Sequence, residues 1–175
     1  MLLNTTSFRL AIAILILMTG PLTGVARAQG RPAPAAQIAI GWVGFADDGV
    51  VSEFLAGGEA RWYLGPRIAV GPEVAYIGGD NHSHFVATGN LTFDLTAPIE
   101  GRPRQVTPFL VVGGGLFQTR ESFPTGPFTS NEGAFTAGGG VRALVGERMT
   151  AGVDVRIGWE LHVRVNGFIG FRLGR

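Results

Sequence analysis

The sequence contains no cysteine, so no disulfide can staple the fold, and stability has to come from packing and backbone pairing. It contains no lysine either. All 14 of its basic residues are arginine, set against 13 acidic ones, and no basic tract offers itself to a nucleic-acid backbone. Arginine suits buried pairing, because its planar guanidinium stays charged and can reach two carboxylate oxygens at once. Charged residues make up only 15% of the chain, too few for a generously solvated surface. Beyond residue 28 no apolar run approaches the roughly 20 residues that a spanning helix needs. No window there sustains a helical period either.

What is present begins with an export signal. Arg9 precedes the uncharged run Leu10 to Met18, Gly20 and Pro21 break it, and Ala26-Arg27-Ala28 places small residues where signal peptidase cuts. We expect cleavage between Ala28 and Gln29, a short extended leader over residues 29–36, and one domain over residues 37–175. The run is about half the length of a spanning helix, which argues against a retained anchor. Removal of residues 1–28 takes Arg9 and Arg27 with it, leaving 12 basic against 13 acidic residues, a net charge of −1.

The remainder alternates apolar and polar residues with period two, in segments of about ten residues. Glycine, proline, asparagine and aspartate punctuate them. The 28 glycines lie well above the roughly 7% background, which fits tightly curved sheet and not helix. Eight segments emerge, over residues 37–45, 55–64, 67–77, 84–95, 106–117, 134–145, 149–159 and 162–173. In the fourth, Phe85, Ala87, Leu91, Phe93 and Leu95 oppose His84, Thr88, Asn90, Thr92 and Asp94. In the seventh, Val153, Val155 and Ile157 oppose Asp154 and Arg156. Pro72 is a blemish in the third, because it withholds one ladder donor.

The expected fold is all-β: a closed, antiparallel, eight-stranded, up-and-down transmembrane β-barrel. Its apolar face would meet lipid and its polar face would line the lumen. Glu59, Arg61, Glu73, Asp94, Arg142, Asp154, Arg156, Arg164 and Arg172 fall on the polar face, sparse and of balanced sign, as a narrow interior of paired charges requires. Trp42, Tyr76, Phe85 and Trp159 fall toward one rim and Trp62, Phe93 and Phe171 toward the other, as interface girdles would. With the N-terminus in the periplasm, the periplasmic connections are Gly65-Pro66, Thr96 to Gln105 and Gly146 to Arg148. The outer ones are Ala46 to Phe54, Gly78 to Ser83, Gln118 to Glu132 and a tight turn near Glu160.

Thr107-Pro-Phe-Leu-Val-Val-Gly-Gly-Gly-Leu116 and the terminal Phe168-Ile-Gly-Phe-Arg-Leu173 carry a resemblance. Over residues 36–175 the chain resembles the small outer-membrane β-barrel domains of the OmpA, OmpX and OmpW type. The first stretch is similar to their Pro-aromatic strand with spaced glycines, and the second to the terminal strand that barrel assembly machinery recognises. The chain departs from that pattern by ending in Gly174-Arg175 where an aromatic residue is usual. The resemblance implies an outer-membrane location, with outer-membrane lipid and the assembly machinery as partners and the extracellular partner left open.

The residues offer little chemistry. His82-Ser83-His84, with Glu73 across a hairpin, is the one candidate for a lipid A-modifying enzyme, and the blander reading is a polar loop end. The same two histidines supply only two ligands to a metal, and Asp47-Asp48 reads as a solvated turn. No phosphate-cradling glycine motif precedes a helix. We therefore expect no catalytic residues, no metal and no cofactor. Eight strands close around side chains and not around a channel, so an open pore is not expected. The expected role is structural or surface-interacting, with residues 46–54 and 118–132 as contact surfaces. The alternatives are a lipid A-modifying enzyme, an OmpW-like conduit for small apolar molecules with Phe109 and Phe168 in the lumen, and a soluble periplasmic ligand-binding barrel.

Overall fold

The computed structural model describes residues 32–47, 49–79, 82–96, 106–123 and 126–173. They form eight strands: β1 (Ala35–Asp47), β2 (Gly49–Tyr63), β3 (Ile68–Gly78), β4 (His82–Asp94), β5 (Val106–Phe123), β6 (Gly126–Val145), β7 (Met149–Gly158) and β8 (His162–Arg172). Each pairs antiparallel with the next, and β8 closes on β1, so the sheet has no free edge through its closed girth. Closure also pairs the backbone polar groups internally, which hydrocarbon demands of any spanning structure. The expected cleavage site at Ala28 and Gln29, and most of the connection from Thr96 to Gln105, lie outside the described residues. Strand β1 begins at Ala35, two residues before the expected domain start.

The sequence alternation becomes an inversion of the usual core. On β7, Val153, Val155 and Ile157 are 54%, 50% and 57% exposed, while Asp154 and Arg156 between them are 2% and 3% exposed. The same holds on β8, where Val163, Val165 and Ile169 face out and Arg164 and Asn166 face in. Such an apolar exterior is far larger than a soluble protein tolerates. It excludes the soluble ligand-binding alternative and fits a band immersed in hydrocarbon. The girdles form as expected: Tyr76 pairs with Phe85, and Trp42 with Phe54, in the half distant from the termini, while Ile68 pairs with Phe93, and Met149 with Phe171, near the termini.

Two turns beside the termini are tight. Leu64 N donates to Ile68 O at 2.8 Å around Gly65-Pro66, and Gly146 takes φ +71°, a left-handed conformation that glycine adopts freely. The opposite end corrects two expectations. The connection expected from Ala46 to Phe54 is strand on both sides of residue 48, and Gln118 to Glu132 is a β-hairpin extension paired from Gln118↔Asn131 to Phe123↔Gly126. Backbone pairing needs no apolar face once strands have left the lipid, so the ladder continues where the alternation fades.

Pro72 leaves its mark on one side only. Its ladder to β4 is unbroken through Pro72↔Gly89, whereas the β2–β3 ladder skips Ala60 and Arg61. Gly71 is needed beside it, since a Cβ there would lie 1.6 Å from the Ala60 carbonyl oxygen. Replacing Pro72 with Ala is expected to restore the missing donor and raise the unfolding free energy by about 0.5–1.5 kcal/mol, one hydrogen bond. Urea unfolding in detergent micelles measures it. An unchanged or lower value would show that Gly71 and not Pro72 sets the gap.

Candidate functional site

Among the described residues, polar side chains from strands far apart in sequence converge in the lumen. Each arrives there by parity: odd residues on β1, β2, β3 and β5 and even residues on β4, β6, β7 and β8 point inward. At its centre Arg156 on β7 reaches across the barrel. Its Nη1 donates to Glu73 Oε2 on β3 at 2.8 Å, and its Nη2 to Glu59 Oε2 on β2 at 3.2 Å and to Asp154 Oδ2 beside it at 3.0 Å. Arg164 on β8 joins from the neighbouring strand, its Nη2 lying 2.8 Å from Glu73 Oε1. Neutral side chains complete the shells of these carboxylates. Asn90 Nδ2 donates to Glu73 at 2.7 Å, Asn166 Nδ2 to Asp154 at 2.8 Å and Gln37 Nε2 to Glu59 at 3.3 Å.

A second group lies nearer the termini. Arg142 on β6 pairs with Asp94 on β4 and donates to the Tyr63 hydroxyl at 2.7 Å, and its guanidinium sits 5.0 Å from the centre of the Phe109 ring. Arg61 approaches Glu59 more loosely, at 3.9 Å. Eight of the nine expected network residues are thus buried in the lumen: four carboxylates (Glu59, Glu73, Asp94, Asp154) and four arginines (Arg61, Arg142, Arg156, Arg164). Arg172 has the same parity but lies half-buried at the rim, with no ion pair among the described residues.

Glycines make room for this network. A Cβ at Gly41 would lie 2.3 Å from Asn166 Oδ1, and one at Gly113 would lie 2.0 Å from Asn90 Oδ1. The two asparagines that hold the carboxylates thus each sit over a residue without a side chain.

Apolar layers flank the charges. Toward the termini, Phe109 and Phe168 pack edge to face at 6.2 Å with Val111. Toward the other mouth, Val43, Phe45, Leu55, Ala75, Ile77, Val86 and Phe117 form a plug, with the His84 and His162 rings packed against its phenylalanines. Above the plug, Glu53, His82 and His84 converge on one point. Glu53 was missed by the sequence reading because its segment was begun at Leu55. Carrying the same parity two residues further places it inward.

The candidate enzyme constellation of His82, Ser83, His84 and Glu73 does not assemble. Glu73 is engaged at mid-barrel by Arg156, Arg164 and Asn90, and Ser83 takes the opposite face of β4 from His82 and His84.

No protein-family model and no curated protein sequence matches the chain. Solved structures do. The N-terminal β-barrel domain of Pseudomonas aeruginosa OprF superposes with a TM-score of 0.66 at 12% identity, covering 82% of this chain and 99% of that one. Neisserial surface protein A gives 0.68 at 10% identity over 83% of this chain and all of the other. Ail, the attachment invasion locus protein of Yersinia pestis, gives 0.52 at 11% identity over 83% of this chain and all of its own. The chain has the fold of the small eight-stranded outer-membrane barrels.

Breaking the central pair leaves three carboxylates facing a cavity with one fewer cation. Arg156→Met is expected to cost about 3–5 kcal/mol, as for other uncompensated buried charges. Arg172→Ala, at the rim, should change stability by less than about 0.5 kcal/mol. Denaturant midpoints in the same detergent compare the two, and equal effects would count against a stabilising network.

Proposed function

We propose that this chain is a non-enzymatic outer-membrane protein that serves as a structural and surface-contact barrel of the envelope, not as an open pore. The observation that carries the reading is the filled lumen. An eight-stranded interior is just wide enough for side chains to occupy it, and here two apolar layers and a charge network occupy its length. The conduit alternative loses its support because Phe109 and Phe168 pack on each other and Arg142 lies over Phe109, as filling and not as the wall of a passage.

Contact with the surroundings falls to the end opposite the termini, which we place outside the cell. There β6 pairs with β7 only from Thr136 onward, so residues 126–135 stand above β7 with one side unpaired. Their free side is anchored at its base by Trp159, whose Nε1 donates to Glu132 Oε2 at 2.8 Å and whose ring meets Phe135 edge on. A rigid, projecting strand edge suits recognition by strand addition. Two of the solved structures sharing the fold are named for the cell surface and for attachment and invasion, which agrees with a surface role.

The chain should fractionate with the outer membrane and migrate on gels in a heat-modifiable way. In planar bilayers it should give no stepwise conductance, and its expression should leave lipid A mass spectra unchanged. Recovery as a soluble periplasmic protein, regular channel steps or a new lipid A species would each overturn the reading. Replacing residues 122–127 with a two-residue turn should leave heat-modifiable migration intact, because this hairpin lies beyond the closed girth; loss of folding would show that the projection is part of the barrel's stability.

A further inference from the structure

Three lumen-facing side chains take no part in the charge network: Glu53 on β2, and His82 and His84 on β4. One ligand atom from each lies within 4.8 Å of the others. The Glu53 side chain is wholly buried, and among the described residues its oxygens have no close partner besides His82. Its oxygens face two imidazoles, making an ion contact with His82 Nε2 and lying 3.8 Å from His84 Nε2. A buried carboxylate whose one close partner is a partly exposed imidazole is poorly compensated for the cost of burial. A cation held between it and the two ring nitrogens removes that cost.

The surroundings are those of a ligand set. The Nδ1 of His84 is paired with the Thr119 hydroxyl at 3.0 Å, which leaves Nε2 turned toward Glu53. Metal-binding imidazoles are typically oriented in this way by a partner on their other nitrogen. Phe45 and Phe117 fix the same ring from two sides, each with its centroid 5.0 Å away. Gly79 leaves the approach clear, since a Cβ there would lie 2.7 Å from Glu53 Oε1. The apolar plug closes the site from below, while the partly exposed His82 opens it to solvent from above.

We propose that Glu53, His82 and His84 form a binding site for a divalent transition metal of the zinc class, at the barrel mouth opposite the termini. Two imidazoles and one carboxylate favour zinc-like ions over calcium or magnesium, which prefer all-oxygen sets. Three protein ligands leave a fourth position for water or for a donor from outside. The proposal does not depend on the structural role argued above, and a barrel without this site would leave that reading intact.

The test uses the exported barrel purified in detergent, stripped with chelator and titrated calorimetrically with zinc chloride, with cobalt(II) absorption as a second readout. One zinc per barrel is expected, with visible ligand-field bands on cobalt loading and no competition from excess calcium or magnesium. Glu53→Gln and His82→Gln should each weaken zinc by at least about 100-fold, and Thr119→Val by about 10–100-fold, the usual cost of losing an orienting partner. Folding is checked by heat-modifiable migration, and His82→Gln, at the exposed rim, decides the matter if Glu53→Gln does not fold. The absence of a saturable single site, full competition by calcium, or unchanged affinity in the folded variants would overturn the proposal.

Discussion

The barrel depends on one interaction more than any other: a guanidinium on β7 held among three carboxylates in the middle of the lumen. Arg156 joins Glu59 and Glu73, 97 and 83 residues away in the chain, and so ties the last strands to the second and third across the interior. Arg164 doubles the tie through Glu73. In a medium of low dielectric each of these charges is prohibitive alone and stable only in company. The count of four carboxylates against four arginines below the plug is therefore a condition of closure. Some pairs form along one strand, as between Arg156 and Asp154, but those that cross the interior, Arg156 with Glu59 and Glu73, fix which wall faces which.

That constraint explains why the fold was legible in the sequence and where legibility ended. Parity alone assigned Asp154, Arg156 and Arg164 to the inside and Val153, Val155 and Ile157 to the outside, because in lipid the outward residue of each pair has no alternative to being apolar. Parity carries no information about who meets whom. The junction of Arg156 with Glu59 and Glu73 comes from barrel shear and strand tilt, which no single segment encodes. The roles of Asn90, Asn166 and Gln37 were hidden for the same reason: neutral side chains on the inner face become network members only when a carboxylate arrives opposite them.

The outer ends were misread for a different reason. Alternation is a signature of one face in lipid and one in the lumen, and it fades where a strand emerges into water. Hydrogen-bond pairing has no such dependence, so β2 begins at Gly49 and β5 and β6 run on to Phe123 and Gly126 without a sustained alternation to announce them. Glu53 was lost in that gap, although it shares the parity of Leu55, Glu59 and Arg61.

The layering of the interior bears on what the protein can do. A permeation path needs continuous water, or at least side chains free to move aside. Here Arg156 and Arg164 are locked to their carboxylates at mid-barrel, the amides of Asn90 and Asn166 fill the space over Gly113 and Gly41, and phenylalanine pairs pack toward either mouth. Each device that makes the polar interior stable also removes the space through which a solute would pass. Beyond the zone paired on both sides lies the unpaired edge of β6, and the rim around His82 lies at the same end.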